Sequence, residues 1–123
     1  MIRDVLWTYE NLANTNAALD EAPSTVADRI RAHRCERDSI GLDDPVDFVL
    51  AFWSIHETPD MHCLLGEVHR RLVGSGRILV VEPRGHVSAT EFGNMVATAK
   101  EIGLSLHDEP RIRLSRAAVF VKK

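Results

Sequence analysis

Residues 46–60 read VDFVLAFWSIHETPD, and this stretch decides the fold. Val46 to Trp53 is an almost unbroken apolar run with one acid, Asp47. The run is short, and consecutive apolar positions load both faces of a strand. That is how a strand reads when helices cover both of its faces, as in a parallel sheet. Gly41 to Pro45, just before it, is turn chemistry. Just after it, Thr58-Pro59-Asp60 reads as a helix start, with Thr58 as the capping hydroxyl and Pro59 at the first helical position. Met61, Leu64, Leu65, Val68 and Leu72 then recur at helical spacing and define one face. Gly74 and Gly76 are expected to end that helix.

Outward from this centre the same alternation continues. Residues 77–82, RILVVE, form a second buried strand. Ser88-Ala89-Thr90-Glu91 is a capping box that opens a helix to about residue 102, with Phe92, Met95, Val96 and Ala99 inward. Gly103 stops it. Residues 104–107 and 112–121 read as two strands joined around Pro110, an antiparallel hairpin at one sheet edge. Upstream, residues 30–35 alternate weakly and form a short strand. Residues 1–28 carry the weakest signals: Val5, Leu6 and Trp7 suit a short strand, and 11–21 suit a helix broken at Pro23. Strands alternating with helices predict an α/β fold in one domain, its sheet mostly parallel with an antiparallel C-terminal edge and helices packed on it.

Composition narrows the function. The chain has 123 residues and a formal net charge of -3, from 15 basic and 18 acidic side chains. That balance gives no footprint for nucleic acid. A small basic cluster, Arg29, Arg31, His33 and Arg34, reads as the solvated edge of a strand. No apolar run approaches the ~20 residues of a membrane span, and Met1-Ile2-Arg3-Asp4 does not begin a signal peptide. A cytoplasmic location with no membrane partner is therefore expected. Cys35 and Cys63 form no CxxC pair and read as free thiols. His56, His62, Cys63 and His69 offer no His pair at the i, i+4 spacing of a helical zinc site, so no metal is expected.

The segment 46–60, the helix after it and then RRLVGSGRILVVEP at 70–83 together resemble the central signature of class I S-adenosylmethionine-dependent methyltransferases. The resemblance covers about residues 29–123. It implies a Rossmann-like sheet, S-adenosylmethionine as cofactor and transfer of its methyl group to a small-molecule acceptor whose identity stays open. It also implies site residues, because ligands of such sheets sit outside the carboxyl ends of the strands. Glu36 aligns with the carboxylate that accepts from the adenine amino group, and the Arg37 backbone N–H with a contact to a ring nitrogen. Ala51 is small enough to let a ligand approach the backbone. Phe52 and Trp53 would wall the cofactor or acceptor pocket, with core packing as the competing reading. Trp53, His56, Glu57 and His86 would face the acceptor, and His56, as a neutral imidazole, would orient or deprotonate it. The competing role for His56 is to cap the next turn. Glu82 is structural by the same resemblance.

One part of the family pattern has no counterpart. The glycine-rich loop that lets backbone approach the cofactor's methionine moiety should precede Glu36, yet the first glycine is Gly41. Gly74-Ser75-Gly76 enters a strand rather than leaving one. The chain therefore matches the C-terminal part of the family's domain, either as a piece of a longer protein or as a short reading frame that lost its first βαβ unit. Such a sheet would have an exposed strand edge, and a homodimer is expected to cover it. The alternative to an enzyme is a non-catalytic dimerisation or binding module that retains the fold.

Overall fold

The apolar runs become strands, and the amphipathic stretches between them become helices. The structure, a computed structural model, describes residues 4–8, 30–34, 39–58 and 60–123. The chain divides into two compact units, Met1–Gly41 and Leu42–Lys123. In the first, β1 (Asp4–Thr8) runs parallel to β2 (Ile30–Arg34), with Asp4 opposite Ile30 and Thr8 opposite Arg34. His33 Nε2 hydrogen-bonds the Ile40 carbonyl oxygen at 2.9 Å. The helix expected over 11–21 and the candidate residues Glu36 and Arg37 lie outside the described residues.

The second unit holds β3 (Val46–Phe52), β4 (Leu72–Pro83), β5 (Leu104–Asp108) and β6 (Ser115–Lys122) in the spatial order β3-β4-β6-β5. β3 is parallel to β4, and β6 is antiparallel to both β4 and β5. It follows that β3, β4 and β5 run one way and only the last strand runs against them. This is the mostly parallel sheet with an antiparallel closing pair that the sequence predicts.

Two helices make the crossovers. α1 (Met61–Arg71) links β3 to β4, and α2 (Ala89–Ile102) links β4 to β5. Both connections step across the sheet in the same sense, so right-handed crossovers place both helices on one face. They also contact each other. Strand register sorts the residues of the sheet. Val49, Ile78 and Phe120 form one cross-strand row, and Ala51, Val80 and Ala118 the next. Ile78, Val80, Ala51, Ala118 and Phe120 are all buried, as are Leu65 and Val68 of α1 and Phe92, Met95 and Ala99 of α2. The alternate positions of β3 point the other way, and there Phe48, Leu50 and Phe52 are 53%, 54% and 51% exposed. The expectation that this strand is buried on both faces is therefore corrected. Both helices occupy the same face, and within this sheet β3 is an edge strand with β4 as its one neighbour.

Two local readings also change. Asp60, not Thr58, caps α1: its carboxylate accepts from the Cys63 N–H at 2.9 Å. Thr58 instead closes a single 3-10 turn, Ile55–Glu57, by donating to the Ile55 carbonyl at 2.7 Å. At the other end, α1 stops at Arg71 and the glycines lie in a loop-out of β4. Val46 faces Leu72, and the next pair is Phe48 with Arg77. Ser75 takes φ 69°, and a Cβ on Gly76 would lie 2.8 Å from the Val73 carbonyl oxygen, so only glycine fits there. Lys122 Nζ donates to the His69 and Leu72 carbonyls at 2.6 and 2.9 Å, satisfying orphan acceptors at the C-terminus of α1. The Ser88–Glu91 capping box and the left-handed Gly103 that ends α2 are both present as read. Among the described residues, no helix is long and apolar enough to cross a membrane.

Candidate active site at the carboxyl ends of the parallel strands

Three chain segments meet at one end of the larger sheet. β3 and β4 finish there, and β6 begins there, with Ser115 opposite Pro83. Trp53 leaves β3 with φ 53°, a conformation that a bulky residue rarely adopts. Its backbone N–H donates to the Val81 carbonyl at 2.7 Å, and its indole Nε1–H donates to Ser115 Oγ at 3.0 Å. Because β4 lies between β3 and β6, the indole bridges the end of β4. Phe52 stacks on Trp53 with ring centroids 5.2 Å apart and planes 12° from parallel. Leu114, just before β6, is the second non-glycine residue at positive φ at this end of the sheet, 59°, and its carbonyl accepts from the Arg84 N–H at 3.0 Å. Backbone outliers that cluster at one sheet end are a mark of functional sites.

The polar centre is Glu82, near the end of β4 and only 2% exposed. A carboxylate so enclosed must find partners. Oε1 accepts from the Ile55 N–H at 2.9 Å, and Oε2 lies 2.5 Å from His56 Nδ1. Burial pushes the Glu82 carboxyl above the ordinary glutamate range, and the His56 and Ile55 hydrogen bonds partly offset that. The pairing fixes the His56 ring. With Nδ1 engaged by Glu82, Nε2 is the nitrogen left to act. The His56 side chain is 23% exposed, and the nearest carboxylate to Nε2 is Glu57, at 3.9 Å. The His86 ring lies parallel to that of His56 within 13°, centroid to centroid 5.9 Å.

The sequence-predicted residues thus separate into groups. His56, Glu57 and His86 come together, and Phe52 and Trp53 form an exposed aromatic pair beside them in the chain. Ala51 is buried and takes its place in the helix-side rows of the sheet. Glu36 and Arg37 lie outside the described residues. Sequence reasoning gave Glu82 no chemical role, although a lone acid closing an apolar strand signals a buried partner. Ser115 carried no signal, because it reaches Trp53 only through insertion of the last strand beside β4.

No protein-family model matches the chain, and no curated protein matches it in sequence. Solved structures do match. The first is a complex of the Haloferax volcanii Trm112 methyltransferase activator with a protein described as a methyltransferase: TM-score 0.78, 14% identity, 98% of this chain and 72% of that one. The glycopeptide N-methyltransferase MtfA, complexed with sinefungin, matches with TM-score 0.75 and 16% identity over 97% of this chain and 70% of that one. A TehB-like SAM-dependent methyltransferase from Corynebacterium glutamicum matches with TM-score 0.72 and 19% identity over 98% and 68%. Against longer solved chains the share falls to 43%. At such identities the likeness speaks to architecture. Strand order, the inserted antiparallel strand and these neighbours together show that the chain has the Rossmann-like fold of class I S-adenosylmethionine-dependent methyltransferases.

Proposed function

We propose that the chain serves a cytoplasmic S-adenosylmethionine-dependent methyltransferase that methylates a small-molecule acceptor, with His56 as general base and Glu82 as its positioning residue. The observation that carries this reading is the buried Glu82 carboxyl held 2.5 Å from His56 Nδ1 at the carboxyl ends of the parallel strands. A ring oriented through Nδ1 presents Nε2 as acceptor for a hydroxyl or amine proton. The cofactor, when bound, supplies a methyl group already activated on a sulfonium. What remains for the protein is to align the acceptor and to take its proton.

The chain's residues fit this cofactor in part. Phe52 and Trp53, 51% and 43% exposed, offer aromatic surface of the kind on which a nucleobase stacks. Glu36 and Arg37 are proposed as the adenine contacts on the family resemblance alone. Residues 1–40 contain no glycine, so this stretch holds no glycine loop for the methionine end. Titration calorimetry with S-adenosylhomocysteine tests the reading. Binding tighter than about 1 mM, or roughly 4 kcal/mol, is expected. Absence of heat at that concentration favours the alternative, a binding module that keeps the fold.

The partner proposed for the open side of the sheet is a second copy of the chain. Phe48 and Leu50 present apolar side chains on an edge strand, and an exposed strand edge templates pairing. Light scattering behind size exclusion should give twice the chain mass. Leu50→Asp, at a site 54% exposed and outside the core, should halve it. A clean monomer at high wild-type concentration removes the dimer.

A further inference from the structure

Beside the His56 end of the sheet lies a cleft that none of the roles above uses. Its volume is about 870 Å³, within the range that encloses a small organic molecule. Four arginines line it: Arg84 after β4, Arg111 and Arg113 in the β5–β6 connection, and Arg116 in β6. One carboxylate in the wall, Glu109, opposes them. Arg84 Nε donates to the Ser115 carbonyl and Arg116 Nε to the Val87 carbonyl, both at 3.1 Å. Those bonds anchor the two guanidinium groups through Nε and occupy none of their terminal nitrogens. Among the described residues, no carboxylate stands within ion-pair distance of any of the four.

This concentration of charge is local. The whole chain carries a formal net charge of -3, so the cleft is a cationic site on an acidic protein rather than part of a basic surface. Like charges gathered around a concave wall repel one another, and an anion relieves that repulsion. Guanidinium forks match the two oxygens of a carboxylate or phosphate. Much of the remaining wall is apolar, with Phe92 and Val96 from α2 and Pro110, Ile112 and Leu114 from the connection. Leu114 is 67% exposed and held at φ 59°, an apolar side chain presented to solvent at a cost in backbone strain.

The cleft is joined to the candidate active site through one residue. Ser115 lines it, accepts from the Trp53 indole, and passes its carbonyl to Arg84. Arg84 itself lies two residues beyond Glu82. We infer that the cleft binds an organic anion, a carboxylate or phosphate carried on an apolar or aromatic body. On the methyl-transfer reading, on which this identification of its role rests, that anion is the acceptor.

The test is an NMR titration of the chain with phenyl phosphate, benzoate, inorganic phosphate and benzyl alcohol, without any methyl donor. The expected result is that phenyl phosphate, benzoate or both shift backbone signals of residues 109–117 and bind at least tenfold tighter than benzyl alcohol or inorganic phosphate. Arg111→Ala and Arg113→Ala, at exposed positions whose side chains make no hydrogen bond among the described residues, should each weaken binding by about tenfold. Arg113→Lys should restore part of the loss. Equal binding of benzyl alcohol, indifference to both alanine variants, shifts confined to other residues, or tighter binding of a random single-stranded oligonucleotide would each overturn the inference. If the titration succeeds and S-adenosylhomocysteine still fails to bind, the cleft stands as an anion site and the methyl-transfer reading falls. If the cofactor product binds and the anions do not, only the cleft inference is lost.

Discussion

If His56 is the general base proposed above, replacing it by alanine should lower the rate of acceptor methylation by about 10²–10⁴-fold, the usual contribution of a positioned general base. That range corresponds to roughly 3–5 kcal/mol of barrier. The size of the effect follows from geometry. His56 is not a free surface imidazole, because Glu82 holds Nδ1 and the 3-10 turn Ile55–Glu57 fixes its backbone. Glu82→Gln keeps the shape but loses the carboxylate, so it should lower the rate less, by about tenfold, and displace the pH profile of the reaction. A second readout separates this role from plain packing. Burial raises the Glu82 pKa, so the folded chain keeps a proton that the unfolded chain gives up near the ordinary value of 4.5. Fewer protons bound in the unfolded state means that stability falls as pH rises through this window. Wild-type stability should therefore decline relative to Glu82→Gln from about pH 4.5 upward. An alanine variant at His56 that methylates within twofold of wild type sinks the general-base role.

Much of this fold was legible because its signals are local. The Ser88–Glu91 capping box and Gly103 act within a turn or two and appear where they were read, and the helical spacing after residue 60 holds as far as Arg71, one residue short of Leu72. The antiparallel pairing of the last two strands was legible locally, but the entry of β6 between β4 and β5 is a matter of topology, for which no local rule exists. The reading of residues 46–53 went wrong in an instructive way. An apolar run reports that a strand has two apolar faces, not which faces this sheet covers. Here both crossovers fall on one side, so Phe48, Leu50 and Phe52 stay open. The site was legible in part for the same reason. His56 lies in the decisive stretch, whereas Glu82 and Ser115 reach it across 26 and 62 residues of sequence. Contacts of that range come from topology, and topology leaves little trace in spacing. The Arg84, Arg111, Arg113 and Arg116 cluster is the same case: ordinary scattered arginines in sequence, one wall in space.

The strongest test of the fold itself is Phe120→Ala, which should cost about 3–5 kcal/mol of unfolding free energy, near the top of the range for a single substitution. Phe120 is fully buried in β6, with Ile78 of β4 on one side and Leu106 of β5 on the other. Ile78 is also buried, and the row continues to Val49 of β3, so the ring occupies a central position in the four-stranded sheet. Removing it leaves a cavity that a sheet anchored on both sides cannot collapse to fill. Because a domain of ordinary stability has only about 5–15 kcal/mol in all, the variant should show a much lower urea midpoint and be partly unfolded near physiological temperature. Phe120→Leu keeps most of the volume and should lose less than about 1.5 kcal/mol. A loss below about 1 kcal/mol for Phe120→Ala, outside the cost seen for buried aromatic truncations, would mean that β6 is not inserted between β4 and β5. The strand order that joins Ser115 to Trp53, and sets the arginine cleft beside His56, would then fail with it.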